Sequence, residues 1–379
     1  MGESPLQLAL GRGHNSLVEL LLRRGADPNW ANIAGSTALH IIFKRDRPDY
    51  YVLAKMLFEL SDKKYQPLQI NLQDYLGNTP LHLTLSLRRG RMEIVKLLLQ
   101  FGANPNLANA KGWTPLKKLF NRKYDDKLAE TFFQICAEKK QPLEVDAKDK
   151  LGQTPLQLAV ANILPSAVDL LLDQGADLTD FVFPLASYLD EIPTNYTHSF
   201  DLRLASGLLV ITERLEKSGY ELDQSGALSI MKVFAKHRWF EKPSDAERAW
   251  CDQEKFSSKA SKIMVNPSLS LYDLIQLQPE EASKLVTYAD YFRLWSSREL
   301  GNLFVSKSHR KPCTLHLIEK LSRGFFREWA LEFFCELVRY QLPIECCEII
   351  IDDSFVNENL CNICLAAAIQ NEKDRGKMK

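Results

Sequence analysis

The chain has 379 residues, 45% hydrophobic and 25% charged, which excludes a disordered or fibrous chain and leaves room for two or three domains. Lys and Arg number 48 and so do Asp and Glu, so no basic excess supplies a broad nucleic-acid footprint and none is expected. No run of about 18 apolar residues could span a bilayer, and Met1 to Gly13 lacks the basic flank and apolar core of a secretion signal, so the expectation is a cytoplasmic protein that binds no membrane.

The first half is organised by a recurring phrase of glycine, Ser or Thr, Pro or Ala, and Leu. It reads Gly35-Ser36-Thr37-Ala38-Leu39-His40, Gly77-Asn78-Thr79-Pro80-Leu81-His82, Gly112-Trp113-Thr114-Pro115-Leu116 and Gly152-Gln153-Thr154-Pro155-Leu156, with a rougher Gly2-Glu3-Ser4-Pro5-Leu6 ahead of them. Successive glycines are 33, 42, 35 and 40 residues apart. The Thr or Ser suits a helix N-cap and the Pro the first helical position, where its missing donor is harmless, so each phrase starts a helix. Leu17, Val18, Leu21 and Leu22, and later Ile94, Val95, Leu97, Leu98 and Leu99, predict a second helix with an apolar face to bury. Gly25-Ala26-Asp27, Gly102-Ala103-Asn104 and Gly175-Ala176-Asp177 then stop those helices.

At these residues, over roughly the first 184 positions, the chain resembles the ankyrin-repeat family, whose stacked units of about 33 residues bind proteins. The second and fourth units depart from the pattern. They carry Gln66-Pro67-Leu68 and Gln141-Pro142-Leu143 in place of the Gly-Ala-Asp stop, and insert charged loops at Lys44 to Asp49 and Asn121 to Lys127. The chain opens inside a repeat phrase, which implies either a trimmed array or a loose first unit acting as cap.

Chemistry-bearing motifs are absent from the sequence: no Gly-rich phosphate loop, no His-Glu-x-x-His and no Gly-x-Ser-x-Gly elbow, so neither an enzyme nor a cofactor is expected. His40 and His82 recur at the repeat's own position, which makes them structural. Of the eight cysteines, Cys346-Cys347 and Cys361-Asn362-Ile363-Cys364 come nearest to a zinc pattern. Their apolar helical setting points instead to small hydrophobes, and no metal is expected.

From Asp180 the phrase disappears. Leu202 to Lys217 and Gly226 to Lys236 read as helices, Lys242-Pro243-Ser244-Asp245 as a turn and Ala246 to Lys259 as a charged helix, so 185–262 is expected to be a helical bridge or degenerate repeats. Phe183-Pro184-Leu185-Ala186 could be a decayed helix start. Beyond it, Leu269 to Ile275, Glu280 to Tyr291, Leu315 to Leu321 and Arg323 to Tyr340 read as further helical segments, followed by Leu342-Pro343-Ile344-Glu345 and an Ile-rich run. Residues 371–379 are predicted to form a disordered tail.

A long helix ending in Leu-Pro-x-Glu, an Ile-rich turn and a short last helix after an ankyrin array resemble the PRANC domain, the F-box-like C-terminal module of poxvirus ankyrin proteins, here covering 263–370. The resemblance implies an all-α chain, an ankyrin-repeat solenoid followed by a C-terminal helical domain, and a role in immune modulation. It further implies that Leu342, Pro343, Ile344, Glu345, Ile349 and Ile350, with Leu360 from the last helix, bind the Skp-type adaptor of a cullin ubiquitin ligase. Target contacts in ankyrin arrays lie on hairpin tips and first-helix faces, which selects Trp30, Ile33, Tyr75, Leu76, Lys111, Trp113 and Lys150, with Trp113 foremost. The expected function is therefore an adaptor that captures a target protein and presents it to a ligase. The alternative is a stoichiometric ankyrin inhibitor or scaffold, as in NF-κB signalling, with the C-terminal helices as a cap. Exposure of Leu342 and Pro343 favours docking, burial favours capping.

Overall fold

The computed structural model describes residues 2–44, 49–86, 92–121, 126–183, 198–240, 254–303 and 307–377. The chain forms two compact units, Met1–Phe181 and Val182–Lys379. Both are helical.

In the first unit five helix pairs follow one another: α1 (Pro5–Arg12) with α2 (Asn15–Arg23), α3 (Ala38–Lys44) with α4 (Tyr50–Leu60), α5 (Pro80–Ser86) with α6 (Met92–Gln100), α7 (Pro115–Phe120) with α8 (Asp126–Glu138), and α9 (Pro155–Ala161) with α10 (Pro165–Asp173). The phrase residues start helices as their chemistry dictates. Ser4, Thr114 and Thr154 cap α1, α7 and α9 by accepting from the N–H of Gln7, Lys117 and Gln157. The odd-numbered helices stack in a row, α1 on α3, α3 on α5, α5 on α7 and α7 on α9, and the even-numbered helices form a second row beside them. Leu39, Leu81, Leu116 and Leu156 are all buried, as are Val18, Leu57, Leu98, Phe132 and Val168 of the second row. Each unit buries its apolar face only against its neighbours, which is why the array stands or falls by stacking.

The two irregular units solve the helix stop differently. In the fourth, Lys140 takes the left-handed conformation (φ 53°) and Gln141 N–H reaches back to Cys136 O at 2.9 Å, the bond that Ala103 makes to Leu98 in the third. In the second, a 3₁₀ turn at Lys63–Tyr65 and a cis Gln66–Pro67 peptide lead to buried Leu68 and Ile70. Of the inserted loops read at Lys44 to Asp49 and Asn121 to Lys127, residues 45–48 and 122–125 lie outside the described residues, while Lys44 ends α3 and Asp126 begins α8.

The second unit is centred on two long helices, α11 (His198–Lys217) and, after α12 (Gln224–Lys236), α13 (Glu254–Ala260), the hairpin strands β1 (Met264–Asn266) and β2 (Leu269–Ser270), α14 (Leu271–Gln276), α15 (Pro279–Leu285), α16 (Tyr288–Ser296) and α17 (Arg298–Leu303), the helix α18 (Lys307–Leu337). Two more helices end it, α19 (Ile344–Ser354) and α20 (Asn357–Lys377). Helix α18 packs on α11, α15, α19 and α20, and α11 also on α16. Its Leu317, Ile318, Leu321, Phe326, Ala330 and Phe333 are buried, and Phe326 meets Phe234 and Phe240 edge-on with centroids 5.1 Å apart.

Several sequence expectations change here. The helices read as a bridge belong to the same compact unit as the C-terminal ones. Of the candidate helix start Phe183-Pro184-Leu185-Ala186 only Phe183 is described, buried and not helical, and the turn at Lys242 to Asp245 and the first part of the charged helix lie outside the described residues. Glu280 to Tyr291 is two helices, because Thr287 and Asp290 form a capping box that begins α16. Leu315 to Leu321 and Arg323 onward are one helix, because Ser322 sends its hydroxyl to Ile318 O (2.7 Å) and leaves the ladder unbroken. Of the tail 371–379 read as disordered, the residues up to Lys377 continue α20, through polar residues with no Pro to stop it, and 378–379 lie outside the described residues.

Candidate functional site

Four hairpin tips project between the helix pairs, and one residue locks each. The side-chain Oδ1 of Asn32, Asp74, Asn109 and Asp149 accepts from the N–H two and four residues on, at 2.9 to 3.0 Å in all four tips. Adjacent tips are then tied edge to edge: Tyr75 N–H to Ala34 O (3.1 Å), Ala110 N–H to Leu76 O (2.9 Å) and Lys150 N–H to Lys111 O (3.2 Å).

A second tie comes from the position two residues after the helix-starting Pro or Ala. Gln7 donates to Ser36 O at 2.7 Å, His40 Nε2 to Asn78 O at 2.9 Å, His82 Nε2 to Trp113 O at 2.8 Å, and Lys117 Nζ to Gln153 O. The acceptor is always the residue after the next unit's phrase glycine. Both histidines are held in this tautomer because Nδ1 accepts from Thr37 Oγ1 or Thr79 Oγ1 (2.8 and 2.9 Å). Burial lowers the pKa of each, that of His82 to about 4, so both sit neutral as donors. Where the fourth unit's phrase puts Lys117, the cation is buried and needs a partner, which Asp149 supplies at 3.0 Å. Burial drives Lys117 down; it also pushes Asp149 up, and the bonds from Lys117 and the tip N–H groups more than reverse that.

On this rigid row the predicted target residues fall into three groups. Ile33, Tyr75 (77% exposed), Leu76, Lys111 and Lys150 are exposed on the tips. Trp113 is half-buried, its ring flanked by Lys111 Nζ at 5.6 Å and Lys118 Nζ at 5.3 Å from the centroid. Trp30 belongs elsewhere: it lines a groove of about 540 Å³ with Gly2 to Leu6, Leu21, Ala26 and Asp27 at the first helix pair. Sequence reasoning missed Leu151, 79% exposed, although it occupies the same tip position as Leu76 and Lys111. It also missed Lys118, whose closeness to Trp113 needs the helical turn that follows the phrase.

In the second unit, Pro343 caps α19 with φ −56° and ψ 148°, its carbonyl accepting from Cys346 and Cys347. The helix turns Cys347 and Ile351 inward and leaves Leu342 (40% exposed), Pro343, Ile344 (54%), Glu345 and Ile349 (59%) outside, with Ile350 half-buried. Two arginines of α18 hold it in place. Arg327 forks onto Asp352 at 2.7 and 2.9 Å, holding that carboxyl below its ordinary pKa, and buried Arg323 donates to Phe355 O at 2.7 Å while pairing with Glu280 at 2.8 Å. Leu360 is corrected as a contact residue: it is fully buried in α20, where it serves the core.

Among the described residues no group of three or more His, Cys, Asp or Glu could hold a metal, and no helix is long and apolar enough to cross a membrane. Cys347, Cys361 and Cys364 are buried free thiols, and burial pushes Cys361 up to about 12, far from a reactive thiolate.

The ankyrin-repeat family model matches residues 1–33 and 76–110. The first unit carries ankyrin repeats. The array is therefore a protein-interaction module. The chain is similar to a putative ankyrin repeat protein L86 of Acanthamoeba polyphaga mimivirus, 32% identical over 29% of this chain and 21% of that protein. It is similar to the human transient receptor potential cation channel subfamily A member 1, 27% identical over 47% of this chain and 15% of the channel. A third similarity is to the E3 ubiquitin-protein ligase XBAT33 of Arabidopsis thaliana, 28% identical over 50% of this chain and 32% of the ligase. The chain thus spans less than a third of the length of each of these relatives.

Proposed function

We propose that the chain is an adaptor: its ankyrin tips capture a target protein, and its F-box-like end recruits a Skp/cullin-type ubiquitin ligase. The observation that carries the second half is the exposed apolar patch of Leu342, Ile344 and Ile349 around the Pro343 cap, mounted on a helix whose other face is buried and whose end is pinned by Arg323 and Arg327. An apolar patch rimmed by Glu345 on a rigid helix suits docking against a partner's helices. The likeness of part of the chain to a plant E3 ligase supports the same reading. Such an adaptor catalyses nothing itself; it raises the concentration of the target beside the ubiquitin-charged enzyme.

Calorimetric titration of a purified Skp-type adaptor into the chain tests this. Micromolar or tighter binding, lost in the Leu342→Ala, Pro343→Ala double variant with folding intact, is the expected result. Absence of binding to the wild-type chain sinks the ligase half and leaves the ankyrin inhibitor or scaffold.

A further inference from the structure

The tips and inner helices of the first unit carry exposed charge of one sign. Within tip segments 31–37, 73–79, 108–114 and 148–154 and helices α1, α3, α5, α7 and α9, the carboxylates are Asp74 and Asp149. Both are buried, bound to their own tip N–H groups and paired with Lys44 and Lys117 at 3.4 and 3.0 Å. The cations on the same surface are exposed: Arg12, Lys44, Lys111, Lys148 and Lys150, with Lys118 half-buried. Lys148 pairs with Asp180, but Lys111, Lys118 and Lys150 meet no carboxylate among the described residues.

Two of them converge on one aromatic ring. Lys111 and Lys118 both stand over Trp113, and neither pairs with a carboxylate among the described residues. Burial lowers the pKa of Lys118, and the charge of Lys111 lowers it further. The indole face compensates each ammonium only in part. A bridging anion relieves the repulsion and forms charge-assisted hydrogen bonds to both. The neighbouring tips, tied on by Ala110 N–H to Leu76 O and Lys150 N–H to Lys111 O, expose the apolar side chains of Tyr75 and Leu76 on one side and of Leu151, next to Lys150, on the other. A strand laid across the tips meets Tyr75 and Leu76, then the Lys111–Trp113–Lys118 cluster, then Lys150 and Leu151.

We propose that this surface recognises an extended acidic segment of the target protein, with Asp or Glu seated between Lys111 and Lys118 over Trp113 and apolar side chains flanking it on the Tyr75–Leu76 and Leu151 tips. The proposal rests on target capture by the array and deepens it, and it does not depend on the ligase half. The complementary charge sets partner choice and speeds encounter, so binding weakens as salt rises.

The test is selection of a random peptide display library on the full-length chain, followed by anisotropy titration of the enriched peptides with a fluorescein label. Enrichment of Asp or Glu next to Leu, Ile or Phe is expected, with affinity falling about tenfold or more in a Lys111→Gln, Lys118→Gln variant and at high salt. A Lys111→Glu, Lys118→Glu variant should reverse the preference toward Lys and Arg. Circular dichroism melts establish that the variants fold, and the glutamine pair serves if the charge-reversed one does not. Enriched peptides without acidic excess, or peptides that bind the glutamine variant unchanged, would overturn the proposal. So would displacement of the peptide by an equimolar single-stranded oligonucleotide, which would assign the cations to nucleic acid. No adaptor is present in this experiment, so its failure and that of adaptor binding are separately readable.

Discussion

At the scale of single residues, the array is tied by one recurring side chain that need not be the same residue. Gln7, His40, His82 and Lys117 all reach the carbonyl after the next unit's glycine. His82→Gln should therefore keep the bond to Trp113 O and fold normally at pH 7. It should differ from the wild type in acid. The folded-state pKa of His82 is lowered to about 4 from the ordinary 6.5, so as pH falls below 6.5 the unfolded chain binds the proton first and stability is lost between pH 6.5 and 4. That loss is about 2 kcal/mol by pH 5, and His40 acts in the same direction. Urea denaturation at pH 7 and pH 5 checks this: the His82→Gln variant should lose less stability than the wild type, and an equal loss would show that His82 is not the proton acceptor. The structural role of these histidines was readable from their phase alone. Their hydrogen-bond partner was not, because it lies a whole repeat away in sequence.

At the scale of elements, stacking turns a local glycine into a long-range contact. Gly77 has φ +71°, and a Cβ there would stand 2.4 Å from Ala110 N, the atom that bonds to Leu76 O. Gly152 has nearly the same conformation, φ +75°, but a Cβ would meet nothing within 4 Å. Gly152→Ala should cost about 1 kcal/mol, the strain of the left-handed conformation. Gly77→Ala should cost about 3 kcal/mol or more, since the clash also forces two tips apart. Chemical denaturation of the two variants reads the difference, and equal losses would contradict the tip-to-tip packing. The helix starts of the first unit were legible because Thr-Pro states them locally. The segmentation of the second unit was not: the sequence reading breaks at Ser322, between Leu321 and Arg323, yet burial on α11, α15, α19 and α20 carries α18 through it. The tip positions of Ile33, Tyr75, Leu76, Lys111 and Lys150 were legible for the same reason as the helix starts, whereas Trp30 lies in the groove at the first helix pair and Leu151 was missed. Leu360 misled, since its helical spacing is equally that of a core position, and only the fold shows that α20 turns it inward.

At the scale of the whole molecule, the chain joins an array that displays side chains on tips to a helical unit that displays them on one pinned helix. The pin is testable by itself. Arg323 is 4% exposed and ties α18 to Glu280 and to the end of α19, so Arg323→Met should destabilise the second unit by about 3 kcal/mol. Hydrogen exchange followed by mass spectrometry should show faster exchange in 344–354 and unchanged exchange in α5 and α6; unaltered protection of 344–354 would remove Arg323 from the account. The central claim is that the exposed face of α19 recruits a ligase adaptor, and calorimetry of a purified Skp-type adaptor with the wild-type chain and the Leu342→Ala, Pro343→Ala variant tests it most directly. Micromolar or tighter binding by the wild type alone, with both proteins folded, is the predicted result; no binding by the wild type, or equal binding by the two, would contradict it.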